Sequence, residues 1–198
     1  MKKAFRLMFV LPLLVALIAG CSKPPEPEMA AADQAAAAAQ QSQAAKYAAK
    51  DWQMASDTLQ AAKAEKAAQD GRFAMFRSYG KAKALYEKAT ALSNTATTNA
   101  KAEMERVKKE TEQILNMVRM ELDSTAAMVA AAPVGKDTKA EIELMKQDLT
   151  ALQQSLSEAQ ADFSRNNFDA ARSKAQSIRD RAAAMRTQVG AAMAKRKH

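Results

Sequence analysis

The chain has 198 residues, 30 Lys and Arg against 22 Asp and Glu for a formal net charge of +8, five glycines, five prolines, one cysteine and one histidine. One cysteine excludes an internal disulfide, and a lone histidine at the final position, His198, excludes Ser-His-Asp, Cys-His and zinc-hydrolase arrangements. The charges are interspersed rather than massed, which leaves no stripe for nucleic acid, and there is no glycine-rich phosphate loop.

The first element is a leader. Lys2, Lys3 and Arg6 precede an apolar stretch over residues 7–19, broken by Pro12. As a helix it would reach only about 20 Å, short of the roughly 20 residues that a spanning helix needs. Residues 1–20 therefore read as a signal peptide and stand outside the fold. Leu17-Ile18-Ala19-Gly20-Cys21 closes the leader and resembles the lipobox of bacterial lipoproteins. The resemblance implies cleavage between Gly20 and Cys21, with a thioether diacylglyceryl group and an N-acyl chain on Cys21. The alternative is a free thiol just past a plain cleavage site, which is a liability in an oxidising compartment. Two acyl chains already anchor a protein stably, so the lipoprotein reading also sets the topology. Ser22, in place of the aspartate of lipoproteins retained in the inner membrane, implies by the same analogy an outer-membrane anchor facing the periplasm. Three basic and no acidic residues precede Cys21, so removing the leader lowers the net charge to +5.

Residues 21–45 read as a lipid-anchored tether. Residues 22–28 (SKPPEPE) would extend at about 3.1 Å per residue and lift the following structure about 20 Å from the membrane. Residues 29–45 are an Ala/Gln-rich stretch with little to bury, expected to form a frayed helix.

Scarce breakers and abundant alanine predict long helices beyond that point. A first segment, residues 45–69, carries a thin stripe of Ala48, Trp52, Ala55, Leu59 and Ala62. Asp70-Gly71-Arg72 separates it from a second segment, residues 73–131, whose stripe is Met104, Val107, Thr111, Ile114, Val118 and Leu122. Weak helix formers at residues 93–99 (SNTATTN) predict a bend there, and Pro133-Val134-Gly135 ends the segment. In the third segment Ile142, Met145, Leu149, Leu152, Leu156, Ala159 and Phe163 alternate three and four apart. In the fourth, Phe168, Ala171, Ala175, Ile178, Ala182, Met185, Val189 and Ala192 do the same. That alternation is the seam of coiled-coil packing, and the turn Arg165-Asn166-Asn167 folds the two helices antiparallel. The expected architecture is all-α: elongated antiparallel hairpins in a coiled-coil-like three- to four-helix bundle. Residues 46–98 would form a first hairpin, and residues 99–198 a three-helix bundle with a basic C-terminus.

Aligned at Phe73 and Phe168, the two turns share Ala64/Ala159, Arg77/Arg172 and Ser78/Ser173, with Gly71 opposite Asn166. This resembles the small–aromatic–small pattern of tetratricopeptide-type hairpins and the helical-hairpin domain of unknown function found in many bacterial lipoproteins. The helices are roughly twice the tetratricopeptide length.

Candidate sites are few. Ten methionines follow the leader, Met117, Met120 and Met128 among them. Soft thioethers suit Cu(I), but filling of an alanine-rich core is the simpler use, and neither a metal nor any cofactor beyond the lipid is expected. Six aromatics crowd residues 47–86. They either fill gaps between alanine-faced helices or leave Phe76, Tyr79 and Tyr86 as an apolar strip on a two-helix unit with no third partner. The strip would contact another envelope protein or a second copy. Lys195-Arg196-Lys197 suits the dipole at the end of the last helix or an anionic surface. A lipid-anchored helical chain with a basic end also resembles the murein lipoprotein. A lipid anchor, long helical hairpins and no visible catalytic set together predict, by subtraction, a non-enzymatic, lipid-anchored scaffold, spacer or adaptor. The alternative is a peptidoglycan-associated lipoprotein that links the outer membrane to the wall.

Overall fold

The structure, a computed structural model, describes residues 23–135 and 138–195, and those residues are mostly helical with no strand among them. The leader, Gly20 and Cys21, like Arg196, Lys197 and His198, lies outside the described residues. Contacts divide the chain into two units, Met1–Met104 and Glu105–His198. The break falls a few residues beyond the expected one, inside a long helix.

The first unit begins where a tether was expected. Helix α1, Glu26–Gln41, starts behind Pro25, with Pro27 in its first turn and Glu26 and Glu28 placed where the helix dipole favours anions. Ala32, Ala35 and Ala39 lie three and four apart and are buried, Ala32 and Ala39 completely. The expectation of an extended tether and a frayed helix is therefore corrected. An alanine stripe has something to bury when its neighbours are also alanine-faced, because small side chains let the backbones approach closely. Gln43, in the left-handed region at φ 56°, ends α1. The Ser42 hydroxyl donates to the Ala39 carbonyl at 2.8 Å. One helical turn, α2 (Ala44–Tyr47), then leads into α3, Ala49–Asp70.

Helix α4, Gly80–Ala131, runs for 52 residues without interruption. Within the SNTATTN stretch, Thr95, Thr97 and Thr98 donate to the carbonyls four residues back. Their hydroxyls are thereby satisfied without breaking the helix. The start is later than expected: residues 73–79 form a connector with a 3-10 turn at Ala74–Phe76. In the first unit α3 runs antiparallel to α1 and to the first part of α4. Ala32, Ala62, Ala82, Tyr86 and Ala89 form one cluster, and Ala39, Ala44, Ala96 and Ala100 form another with Trp52 against it. Lys63–Asp33 at 2.8 Å and Lys83–Glu28 at 2.9 Å pair helices across the surface. Three helices therefore stand where a two-helix hairpin was expected.

The second unit combines the later part of α4 with α5 (Lys139–Ser164) and α6 (Phe168–Lys195). Leu115, Val118, Leu122, Leu149, Leu152 and Ile178 are in its core. Each large aliphatic buried contributes about 1.5–3 kcal/mol. Every described member of the fourth stripe from Phe168 to Val189 is buried, and so is the third stripe from Ile142 to Ala159. The α5–α6 turn places Asn166 at φ 60°, and the Phe163 and Phe168 rings meet at 5.5 Å. Asp162 closes the turn: its carboxylate takes Lys174 at 2.8 Å and Arg165 at 2.7 Å. Arg186 donates to the Thr125 hydroxyl at 3.0 Å, and Arg179 pairs with Glu121 at 3.2 Å, tying α6 to α4.

Burial also re-registers the likeness between the turns. Tyr79, Ala82, Tyr86, Ala89, Ser93, Ala96 and Ala100 are buried with the same spacing as Phe168, Ala171, Ala175, Ile178, Ala182, Met185 and Val189. The counterpart of Phe168 is thus Tyr79. Phe73, aligned with it by sequence, is 72 % exposed. Gly71 also differs from Asn166, with an ordinary helical φ of −71°.

Candidate functional site

The expected strip of Phe76, Tyr79 and Tyr86 does not exist as a surface. Tyr79 and Tyr86 are buried, because α1 supplies the third helix that a bare hairpin would lack. Tyr79 donates its hydroxyl to Asp70 Oδ1 at 2.6 Å. Only Phe76 of the three remains outside, at 68 % exposure.

Phe76 belongs instead to a different surface. Between α3 and α4, residues 71–78 carry Phe73, Met75 and Phe76, all three exposed. The Phe73 and Phe76 ring centroids are 6.4 Å apart. Three large apolar side chains within four residues, all facing solvent, are unusual on a small helical unit. The main chain beneath them is firmly held. Arg77 Nε donates to the Arg72 carbonyl and its Nη2 to the Asp70 carbonyl, both at 2.9 Å. The Ser78 amide donates to Gln69 Oε1 at 3.1 Å, and Gln69 Nε2 in turn donates to Glu65 at 2.9 Å. The Phe76 amide donates to the Phe73 carbonyl at 2.8 Å, closing the 3-10 turn.

The base of this loop is charged and paired. Lys66 hydrogen-bonds Asp70 at 2.6 Å, which with the Tyr79 hydroxyl holds the Asp70 carboxyl below its usual range. The same hydrogen bond to Asp70 pushes the Tyr79 phenol up, and burial adds to it. Lys81 on Glu65 at 2.7 Å, with help from Gln69, keeps that carboxyl low as well. Lys83 does the same for Glu28.

The start of the described chain lies against this base. Lys23, Pro24, Pro25, Pro27 and Glu28 line a shallow depression of about 340 Å³ together with Tyr79, Gly80 and Lys83. Residues 23–25 are thus packed beside the point where the connector rejoins α4.

The other expected sites are dispersed or undescribed. Met117 and Met120 are exposed, while Met145 and Met185 fill the core and Met128 packs against it. No group of three or more His, Cys, Asp or Glu that could hold a metal occurs among the described residues. No helix among them is long and apolar enough to cross a membrane. Lys195 ends α6, and its neighbours Arg196 and Lys197 are outside the described residues.

Sequence reasoning missed Phe73 and Met75 as surface residues. A signal was available: counting three and four back from Ala89 arrives at Tyr86, Ala82 and Tyr79, and leaves Phe73, Met75 and Phe76 before the stripe begins. No protein-family model, curated protein or solved structure matches the chain.

Proposed function

We propose that the chain is a lipid-anchored protein of the bacterial cell envelope, acting as a non-enzymatic scaffold or adaptor. In this reading Cys21 carries diacylglyceryl and N-acyl groups, and the mature chain faces the periplasm from the outer membrane. The placement of Lys23, Pro24 and Pro25 against Tyr79, Gly80 and Lys83 supports it. The first described residues behind the lipobox-like Leu17-Ile18-Ala19-Gly20-Cys21 belong to the folded body, with Pro25 buried and α1 starting at Glu26. A lipid at Cys21 would thereby hold the helices at the bilayer surface, a fixed position suited to presenting helical faces to partners. Two units built on one helix-up, helix-down, helix-up scheme supply such faces.

Intact-mass analysis of the protein from its own membranes tests the anchor. The expected result is a mass increase equal to the acyl groups, located at Cys21, with extraction only by detergent. An unmodified thiol, or release into buffer, overturns it. Mild crosslinking followed by affinity capture tests the adaptor role, for which a defined envelope protein should co-purify. Salt-sensitive sedimentation with purified sacculi, in the absence of such a protein, would favour the wall-linking role instead.

A further inference from the structure

We infer that the Phe73-Met75-Phe76 loop is a second membrane contact, inserted into the same phospholipid surface that receives the acyl chains of Cys21; the inference rests on the lipid-anchored reading. Three observations carry it. First, the loop displays three large apolar side chains that no other described part of the chain covers, Phe73 at 72 %, Met75 at 59 % and Phe76 at 68 % exposure. Second, the anchor end of the chain is beside it. Lys23 to Pro25 line one shallow depression with Tyr79 and Gly80, and Tyr79 is hydrogen-bonded to Asp70, so the loop leaves and re-enters the fold beside the first described residues. Cys21 is two residues from Lys23, a covalent reach of at most about 7 Å. Acyl chains on Cys21 therefore enter the bilayer at the end of the unit from which the loop emerges. Third, the flanking charge suits an anionic lipid surface. Lys23 and Arg72 are exposed, and Lys81 and Lys83 are about half exposed or more although paired with Glu65 and Glu28.

The loop is also built to keep these side chains out. The two hydrogen bonds from Arg77 and the Gln69–Ser78 bond fix residues 71–78, so Phe73 and Phe76 do not fold back onto α3. Apolar side chains on a short rigid loop, flanked by the exposed cations Lys23 and Arg72, sit at the boundary between headgroups and acyl chains. With the lipid as one attachment and the loop as another, the first unit could not pivot freely about Cys21. Its helices would meet the bilayer end-on at the α3–α4 turn.

The test uses the full acylated protein, purified in mild detergent and reconstituted into vesicles of phosphatidylethanolamine and phosphatidylglycerol. Trp52, the sole tryptophan, is replaced by Phe, and the reporter Phe76→Trp is introduced, with Phe73→Trp as a second reporter and Met54→Trp as the control. Met54 lies on α3 about 24 Å from Asp70. Insertion within roughly 10 Å of the acyl boundary puts a loop tryptophan in range of brominated acyl chains, so its emission should shift to the blue and fall about two-fold. The control should do neither. Flotation with the vesicles and intact mass read the anchor separately. A chain that is acylated and floats, yet shows no quenching at either loop reporter, overturns the loop contact and leaves the anchor standing. A blue shift without quenching means the loop is covered by protein, such as a second copy, and overturns it too. A chain that is neither acylated nor floating overturns both.

Discussion

Tyr86→Phe should stabilise the first unit. Tyr86 is 1 % exposed, enclosed by Ala32, Ala62, Ala82 and Ala89, and its hydroxyl has no hydrogen-bond partner among the described residues. A buried hydroxyl without a partner costs about 1–3 kcal/mol. Removing one oxygen leaves a gap of about 10 Å³, worth only about 0.2 kcal/mol at the usual cavity coefficient. The net expectation is a gain of about 1–3 kcal/mol, or a midpoint higher by about 4–8 °C per kcal/mol for a unit of this size. Trp52 lies in the first unit against the Ala39–Ala96 cluster, so its fluorescence reports that unit's unfolding in urea or heat. The variant should also unfold less readily in alkali. Burial pushes the Tyr86 phenol above its ordinary value of 10.0, with Lys63 and Lys66 opposing. With the folded value above the unfolded one, the stability from the neutral phenol is complete below the unfolded value and is lost as pH rises through the folded value. Phenylalanine removes that loss, while the raised Tyr79 phenol and the raised Lys66 and Lys83 ammonium groups still titrate in alkali. Destabilisation by more than about 0.5 kcal/mol would refute the reasoning, because it would mean the hydroxyl is satisfied in solution.

Ala39→Leu should cost about 1–3 kcal/mol by overpacking a position with no exposed surface, again read at Trp52, whereas a frayed α1 would tolerate it. Asp162→Asn should destabilise at neutral pH and not in strong acid. Hydrogen bonds from Lys174, then Arg165, lower the Asp162 carboxyl from 3.8, so its contribution is present above that value and vanishes as pH falls through the folded one. Urea midpoints by circular dichroism at about pH 7 and about pH 2.5 should show the difference closing. Arg77→Ala removes two of the bonds that hold the loop, so amide hydrogen exchange over residues 71–78 should accelerate while the helices stay protected.

The second unit was legible in the sequence because its seam residues are unambiguous. Leu149, Leu152, Leu156 and Ile178 lose so much by facing water that a three-four spacing of such side chains admits one orientation for each helix. The Asn166 turn was equally readable, since a short polar break between two such stripes forces an antiparallel return. Alanine carries no such instruction. Its transfer free energy is small and it suits a solvated helix as well as a tight interface, so residues 29–45 looked unburied until α3 and α4 offered alanines opposite them. That one docking event changed the candidate site. With α1 in place Tyr79 and Tyr86 became interior, and the exposed apolar set moved to Phe73, Met75 and Phe76. The helices of the second unit and their seams follow from local spacing and side-chain size. Which face of an alanine helix is covered, and therefore which aromatics remain outside, is decided only when distant segments meet, because burial depends on the partner as much as on the residue.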